Sequence, residues 1–316
     1  MSGPAHPRVV ALGGGHGLAA TLAALREITP LVTAIVTVAD DGGSSGRLRQ
    51  EFGVLPPGDL RMALAALAPQ DGHGELWRQV LQYRFASEGE MAGHAVGNLL
   101  LVALWSLLED ETAGLDAVGR MLGVRGRVLP MSKVPVDVEA DISRRVEGGD
   151  VWRTTVHGQR RVAVGDGRVD AIRLVPQAPP ACAEAVEALA EADWIVFGPG
   201  SWYTSVIPHF MVPGLAAAIS AARGKRIVTL NLAPQRGETP GYTAADHLAA
   251  LHAYAPGIGF DVVIVDPSAV GDLDALTALA GERGGRVLVR TVRAPDGTPA
   301  HDPLSLAAAY REGFEG

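Results

Sequence analysis

The feature of the sequence that most constrains its fold is a repeated alternation of short apolar runs, turns that contain glycine or proline, and helical stretches. The runs carry hydrophobic residues at successive positions, so both faces of each predicted strand would be buried. Such strands are typical of a mostly parallel sheet covered by helices, and the sequence therefore predicts the α/β fold class. The runs on which this prediction rests are "RVVAL", "LVTAIVTV", "DWIVF", "KRIVTL" and "DVVIV".

The middle of the chain has a different pattern. From about Val124 to Val175, β-branched residues alternate with polar ones, which is typical of antiparallel strands with one exposed face. We expect a small antiparallel β insertion, a meander attached to the main sheet; the alternative is that these are edge strands of that same sheet. The 316 residues have ordinary globular composition, so we expect residues 1–316 to form one domain that includes this insertion.

Composition argues against several classes of protein. The formal net charge of -8 is unfavourable for sequence-independent binding of nucleic acid, which requires a basic surface. The single cysteine, Cys182, cannot form an intramolecular disulfide, and the N-terminal "MSGPAHPR" lacks the apolar region of a signal peptide. The longest apolar run, Leu99 to Leu108, is about half a membrane span, and we interpret it as a buried helix. These features predict a cytoplasmic protein that does not insert into membranes.

Each unusual segment of the sequence comes directly after a predicted strand. In an open parallel sheet, ligands bind in the crevice beyond the carboxyl ends of the strands. We therefore expect these segments to meet at one edge of the sheet and to form one pocket there.

The first segment is "GGGHG", which lies between a predicted strand and a helix. Glycines allow a sharp turn with free N–H groups, and the helix N-terminus favours an anion, so the segment predicts phosphate binding. The alternative is a tight turn without a ligand. The spacing differs from the dinucleotide fingerprint, because Leu18 stands where a third glycine or alanine belongs, and no P-loop lysine is present. The residues concerned are Gly13, Gly14, Gly15, His16 and Gly17.

The second segment is rich in carboxylates. Asp40 and Asp41 follow the second predicted strand, where a dinucleotide-binding protein would place the acid that binds a ribose. One acid would suffice for a ribose, however, and Asp59 supplies a third carboxylate nearby in the sequence. Carboxylates beside a phosphate repel it unless a cation lies between them, so we predict a Mg²⁺ ion held by Asp40, Asp41 and Asp59. Simple capping of a helix by Asp59 is the alternative.

Other polar residues follow these turns and are candidates for ligand binding. Arginines near the glycine turns could bind phosphate oxygens, and a histidine and an asparagine four residues apart could reach the ligand or cap the apolar helix. A later segment, "GPGSWYTS", offers close backbone approach, hydroxyls, and the flat face of Trp202 or Tyr203, which suits a sugar or a base. The candidates are Ser44, Ser45, Arg47, Arg61, His94, Asn98, Gly198, Gly200, Ser201, Tyr203, Thr204, Ser205, Asn231 and Gln235.

The sequence also resembles a known family over nearly its whole length. The motifs "GGGHGL", "TVADDGGSSGRLR", "GVLPPGDLR", "GHAVGNLLL", "GPGSWYTSVIPHFMVPG" and "NLAPQRGETPGYTAADHL" occur in order between Val9 and Leu248. They are similar to those of the YvcK family of bacterial gluconeogenesis factors, which is CofD-like, that is, related to the 2-phospho-L-lactate transferases of coenzyme F420 synthesis. The resemblance implies a Rossmann-like three-layer α/β/α core.

The resemblance also implies a function. It implies binding of UDP-sugars, notably UDP-N-acetylglucosamine, and a role in gluconeogenic growth, cell shape and cell-wall synthesis. For the transferase relatives it implies nucleotide and Mg²⁺ binding by acids that match Asp40 or Asp41 and Asp59. The chain departs from the family pattern at His16, Met62, Trp202 and His209, which concerns the identity of the ligand more than its class.

Two functions follow as hypotheses. The first is a regulator that binds a nucleotide sugar and acts through unidentified protein partners in the envelope or carbon metabolism, with a homo-oligomer left open. The second is a Mg²⁺-dependent transferase that moves a phospholactyl-type group from a nucleotide donor to an acceptor alcohol, with Asp41 or Asp59 as base. An NAD-dependent enzyme is a third reading, which fits the strand-2 acid but not the glycine spacing.

Overall fold

A seven-stranded parallel sheet forms the centre of the protein. The computed structural model describes residues 6–145, 151–165, 167–235 and 237–316. The strand order is β10-β9-β8-β7-β1-β2-β3, and every pairing in this sheet is parallel. The predicted α/β class is thus confirmed. The strands are β1 (Val9–Gly13), β2 (Val32–Val36), β3 (Arg127–Pro130), β7 (Trp194–Phe197), β8 (Lys225–Thr229), β9 (Val262–Val265) and β10 (Arg286–Val289).

The sheet is covered by helices because its strands are apolar on both faces. Every residue of β1, β7 and β9 is buried, as the unbroken apolar runs predict. The helices are α1 (Gly15–Leu25), α2 (Gly43–Phe52), α3 (Pro57–Leu67), α4 (Gly72–Gln82), α5 (Val96–Leu108), α6 (Glu111–Leu122), α7 (Gln159–Ala163), α8 (Ala183–Glu191), α9 (Pro208–Met211), α10 (Pro213–Ala221), α11 (Ala244–Tyr254), α12 (Leu273–Gly281) and α13 (Pro303–Glu315).

The strand order reverses at β1. From β1 the chain first adds β2 and β3 on one side, and later returns to add β7, β8, β9 and β10 on the other. Because crossovers between parallel strands are right-handed, the two directions place their helices on opposite faces of the sheet, which gives three layers. The carboxyl ends of β1 and β7 therefore flank the switch point, where open α/β sheets bind ligands.

A separate small antiparallel sheet lies in the middle of the chain. It consists of β4 (Asp137–Arg145), β5 (Val151–His157) and β6 (Arg168–Val175) in the order β5-β4-β6. The antiparallel insertion is confirmed, but its details differ from the expectation. Its arrangement is not a meander, because α7 separates β5 from β6 and β6 pairs with β4. The preceding strand, β3, belongs to the main sheet, where it is the edge strand beside β2.

Two helices also differ from the expectation. The glycine- and serine-containing stretch after Asp40 and Asp41, for which no helix was predicted, is the helix α2 (Gly43–Phe52). Gly46 lets this helix lie close to the preceding segment, because a Cβ at position 46 would be 2.1 Å from the carbonyl oxygen of Asp41. The apolar helix α5 is buried on one face only, and the side chain of Leu107 near its end is 78% exposed. None of the helices in the described ranges has both the length and the hydropathy needed to cross a bilayer.

Candidate functional site

Two glycine turns meet at the switch point of the sheet. The first, Gly13–Gly17, runs from the last residue of β1 into the first turn of α1, and the second, Gly198–Gly200, follows β7. A Cβ at position 17 would lie 1.9 Å from the carbonyl oxygen of Pro199, so only glycine allows the two turns to touch. The two turns predicted to share one edge of the sheet are therefore in direct contact.

Asp59 lies beneath the first glycine turn. A Cβ at Gly14 would be 2.7 Å from Asp59 Oδ2 and 2.4 Å from a methyl group of Thr37, so the backbone passes directly over the carboxylate. Burial and the negative charge of Asp40 raise the pKa of Asp59 to about 7, although a hydrogen bond from the Gly15 backbone favours the charged form. Near neutral pH, Asp59 can therefore both accept and release a proton.

Asp40 lies beside Asp59, and Asp41 points elsewhere. Asp40 Oδ1 accepts a hydrogen bond from the Gly42 amide at 2.9 Å, and Asp40 Oδ2 would be 3.0 Å from a Cβ at Gly58, next to Asp59. Asp41 Oδ1 instead accepts a hydrogen bond from the Arg160 amide at the start of α7, at 2.9 Å. The structure thus pairs two of the three predicted carboxylates and uses the third to attach α7.

A pair of carboxylates is a donor set that suits Mg²⁺. This ion is commonly bound by one or two carboxylates together with phosphate oxygens and waters, so Asp40 and Asp59 fit it in chemical type. In the described part of the chain, no group of three or more histidine, cysteine, aspartate or glutamate residues is arranged to hold a metal. A cation here would depend on oxygens from a ligand as well as from the protein.

A buried chain of hydrogen bonds connects α2, α5 and α3. His94 Nδ1 lies 3.0 Å from Ser44 Oγ, which accepts a hydrogen bond from Asn98 Nδ2 at 2.9 Å. Asn98 Oδ1 in turn accepts a hydrogen bond from Arg61 Nε at 2.9 Å. Burial and the charge of Arg47 lower the pKa of His94. His94, just before α5, and Asn98, in its first turn, therefore help to orient Arg61 rather than only capping the helix.

The remaining candidates of this region have structural partners. Ser45 Oγ accepts a hydrogen bond from the Gly58 amide at 3.0 Å and so joins α2 to α3. Arg47 donates to the carbonyl oxygens of Glu90 and Ala92 at 2.9 and 2.6 Å. It therefore fixes the loop before α5 in this structure, while Arg61 lies beside the acid pair on α3.

The segment after β7 is a turn of π-helix, Trp202–Val206. The sequence suggested a flat aromatic face for the ligand, and the structure contradicts this: Trp202 and Tyr203 are 0% and 4% exposed. Trp202 Nε1 donates to the His247 carbonyl at 2.8 Å, and the Tyr203 hydroxyl lies 2.7 Å from that of Tyr242. The rings pack into the core because the π-helical turn points them inward.

Polar residues after β8 hold this turn in place. Asn231 makes two hydrogen bonds to the backbone of Gly200, and Gln235 Oε1 accepts one from the Trp202 amide at 3.2 Å. Gln235 Nε2 lies 3.5 Å from Ser201 Oγ. Ser205 faces the first glycine turn, since its Cβ would be 3.3 Å from a Cβ at Gly14.

Glu238 is a residue that the sequence analysis missed. Its carboxylate is buried, and it accepts hydrogen bonds from the Tyr203 amide and the Thr204 hydroxyl, both at 2.8 Å. Burial raises the pKa of Glu238. A lone glutamate in a polar loop carries no pattern that distinguishes it from a solvated one, so the sequence held no signal for this role.

Comparison with known proteins identifies the family. The family model described as 2-phospho-L-lactate transferase CofD matches residues 9–280. This chain belongs to the CofD family. A Mycobacterium tuberculosis relative named "Putative gluconeogenesis factor" is 51% identical over 303 residues, covering 95% of this chain and 88% of that protein. The "Gluconeogenesis factor" of Bacillus subtilis is 38% identical over 267 residues, covering 84% of this chain and 80% of that protein.

A solved structure shows the same CofD-family fold. The crystal structure of a Bacillus halodurans protein of the UPF0052 family matches with a TM-score of 0.87 and 33% sequence identity. The match covers 99% of this chain and 100% of that chain. The resemblance to gluconeogenesis factors and CofD proteins is therefore confirmed.

The structure also shows where the chain departs from the CofD-like pattern. His16 is exposed at the first turn of α1, and Met62 follows Arg61 on α3. Trp202 and His209 are both buried, and the two ring nitrogens of His209 lie 3.2 and 3.1 Å from the carbonyl oxygens of Val206 and Ile35. Burial lowers the pKa of His209 to about 4. Among these four departures, only His16 is open to solvent beside a glycine turn.

Proposed function

We propose that this protein binds a nucleotide sugar of the UDP-N-acetylglucosamine type at the switch point and acts as a regulator. The observation that carries the proposal is the contact between the two glycine turns, where a Cβ at Gly17 would lie 1.9 Å from the Pro199 carbonyl oxygen. Glycine turns expose backbone N–H groups, and the N-terminus of α1 favours negative charge. A diphosphate is the ligand group that this combination fits.

The acid pair supports a ligand-dependent cation. Asp40 and Asp59 lie beside the proposed diphosphate position, and their charges would repel it. Mg²⁺, when bound, would supply the positive charge that both groups require. In this proposal, Asp40 and Asp59 are the protein ligands of the ion. The Gly15 backbone N–H keeps its hydrogen bond to Asp59 and so fixes the orientation of that carboxylate.

A regulatory role agrees with the chemistry of the site. The relatives are named gluconeogenesis factors, and we extend that role to this chain, with effects on growth on gluconeogenic carbon, cell shape and cell-wall synthesis through protein partners in the cytoplasm. The Cys182 thiol is a poor nucleophile, because its pKa is raised to about 12, mainly by burial. Binding alone, without turnover, suffices for this function.

Isothermal titration calorimetry with UDP-N-acetylglucosamine, with and without Mg²⁺, tests the proposal. We expect binding that Mg²⁺ strengthens, and we expect Asp40→Asn to remove most of that strengthening. Asp274→Asn is the matched control, since Asp274 is exposed at the start of α12 and far along the chain from the site. Absence of binding to any UDP-sugar at millimolar concentration would refute the proposal.

The second candidate function is phospholactyl transfer, which the raised pKa of Asp59 favours. The acceptor hydroxyl would give its proton to Asp59 while its oxygen bonds to the phosphorus of the phospholactyl group. The bond from that phosphorus to the oxygen of the nucleotide phosphate would break, and the nucleoside monophosphate would leave. A pKa of about 7 suits a base that works near neutral pH.

One enzymatic assay distinguishes the two functions. The protein is mixed with a guanylylated phospholactate donor, a deazaflavin alcohol and Mg²⁺, and the products are followed by mass spectrometry. Formation of the phosphodiester product, lost in Asp59→Asn, supports the transferase. No product together with intact binding of the UDP-sugar supports the regulator.

A further inference from the structure

A positively charged groove lies next to the switch point, between α1, α3 and α4. Its volume is about 960 Å³, and it is bordered by His16 at one end and by Pro303 of α13. Four arginines and one glutamate line it, an excess of positive charge in a protein whose formal net charge is -8. We call it the α1–α3–α4 groove.

The arginines of the groove differ in whether their N–H groups have hydrogen-bond acceptors. Arg26 donates to the carbonyl oxygens of Ala66 and Ala68, at 2.9 and 2.8 Å. Arg78 forms a two-bond ion pair with Glu75 at 2.6 and 2.8 Å. Within the described ranges, Arg26 Nε is buried without a hydrogen-bond partner, but it lies 3.4 Å from Glu27 Oε1. These two side chains therefore already have acceptors or an acidic neighbour.

Arg61 is the exception. It is only 2% exposed, its Nε is held by Asn98, and its Nη1 is buried without a hydrogen-bond partner among the described residues. A buried charged donor without a partner costs free energy, and such groups in native proteins call for an acceptor. The hydrogen bond to Asn98 fixes the orientation of the guanidinium, and in that orientation Nη1 lacks an acceptor in the part of the chain that the structure describes.

Arg84 adds a second positive charge at the same place. It lines the same groove as Arg61. One nitrogen of Arg84 donates to the Gly93 carbonyl at 2.8 Å, which holds the side chain by a single bond. Two neighbouring guanidinium groups repel each other unless an anion lies between them.

The acid pair does not fill this role. Asp59 and Arg61 are two positions apart on α3, and residues at that spacing do not face each other on a helix. Asp59 faces the glycine turn at Gly14, whereas Arg61 faces Asn98 and the groove. The charges of Asp59 and Asp40 act on Arg61, but among the described residues Asn98 is the acceptor of its Nε, and its Nη1 has no hydrogen-bond acceptor.

We propose that the α1–α3–α4 groove binds a second anion, a phosphate group held between Arg61 and Arg84, at the same time as a nucleotide ligand occupies the switch point. Arginine binds phosphate through paired donors, which suits a groove lined by two guanidinium groups. The volume exceeds what a lone phosphate fills, so a small phosphate monoester fits better than the free ion. The inference goes beyond the proposed function, since it concerns a different ligand and a different surface.

Calorimetric titration with inorganic phosphate and, separately, with glycerol 3-phosphate tests this site. We expect the monoester to bind the wild-type chain more tightly than phosphate does, and Arg84→Ala to weaken both by about tenfold or more, as expected for loss of a charged hydrogen bond. Arg84→Lys should lie between the two. The matched control is Arg120→Ala, an exposed arginine of α6, which removes the same charge elsewhere and should leave affinity within about twofold.

Further arms keep the test decisive. If Arg84→Ala unfolds, as its thermal melt would show, Arg84→Gln replaces it, because it keeps a polar side chain and removes the charge. The titration is then repeated in saturating UDP-N-acetylglucosamine, where unchanged phosphate affinity supports two sites. Equal affinity in wild type and Arg84→Ala, no binding of either phosphate probe, or complete competition by the UDP-sugar would each overturn the second site. Failure of the UDP-sugar to bind would leave the phosphate titrations intact and refute only the proposed function.

Discussion

Asn231 holds Gly200 by both of that residue's backbone groups. The Gly200 amide donates to Asn231 Oδ1 at 2.9 Å, and Asn231 Nδ2 donates to the Gly200 carbonyl at 2.9 Å. Since Gly200 belongs to the turn that touches Gly17, one side chain after β8 fixes the relative position of the turns after β1 and β7. The three loops behave as one assembly at the switch point.

This arrangement predicts a loss of stability in Asn231→Ala. The variant removes both bonds and leaves partly buried backbone groups without partners, so unfolding free energy should fall by about 1 to 3 kcal/mol. Urea unfolding followed by circular dichroism measures it. Asn231→Asp keeps the acceptor for the Gly200 amide but turns an oxygen toward the Gly200 carbonyl, so it should also be destabilised. An Asn231→Ala midpoint equal to that of wild type would contradict the contact.

The contact between the glycine turns predicts a strong effect of Gly17→Ala. The added methyl group would lie 1.9 Å from a backbone oxygen, which cannot move as a flexible side chain could. We expect destabilisation by at least about 2 kcal/mol, measured by thermal or urea unfolding. Gly72→Ala is the matched control, because no atom lies within 4 Å of its Cβ position at the start of α4. It should be neutral or slightly stabilising, and similar losses in both variants would refute the steric argument.

The raised pKa of Asp59 predicts that the stability of the protein depends on pH. Its pKa of about 7 in the folded state lies above the value of about 4 of an unperturbed aspartate, so the folded state binds the proton more tightly and wild-type stability decreases as pH rises from about 4 to 7. Asp59→Asn removes this dependence. We compare the unfolding free energy of Asp59→Asn with that of wild type, measured in urea at pH 5 and at pH 8. The difference, variant minus wild type, should be about 2 kcal/mol more positive at pH 8 than at pH 5. An equal difference at the two pH values would show that the carboxyl does not titrate in this range.

We predict that the buried carboxylate of Glu238 stabilises the turn after β7. Glu238→Ala leaves the Tyr203 amide and the Thr204 hydroxyl without their acceptor, and we expect a loss of about 2 to 4 kcal/mol. Glu238→Gln keeps one acceptor oxygen and should lose less. Hydrogen exchange of the Tyr203 amide measures the effect locally, and unchanged protection in Glu238→Ala would contradict the assigned contact.

The sheet was predictable from the sequence because its strands are buried on both faces. Five of its strands stand out as apolar runs, and the convergence of the following turns is a consequence of parallel strand direction. The strand β10 was not predicted, because it has four residues, Arg286–Val289, of which only Leu288 is buried. Edge strands carry less of the apolar signal than central ones.

The direction of individual side chains was less predictable. Asp40 and Asp41 are adjacent and chemically identical, yet one faces Asp59 and the other the start of α7, which is 119 residues away from Asp41. Likewise, the aromatic side chains of Trp202 and Tyr203 follow the π-helical turn into the core. Both outcomes depend on long-range packing that no local pattern encodes.

The central claim is that a diphosphate binds over the first glycine turn with a divalent ion on the acid pair. A crystal soaked with UDP-N-acetylglucosamine and Mn²⁺, measured at the manganese absorption edge, locates ion and ligand together. We expect one anomalous peak in contact with Asp40 and Asp59, and diphosphate density over the N-terminus of α1. Ligand density elsewhere on the molecule, or a manganese peak that touches neither carboxylate, would contradict the claim.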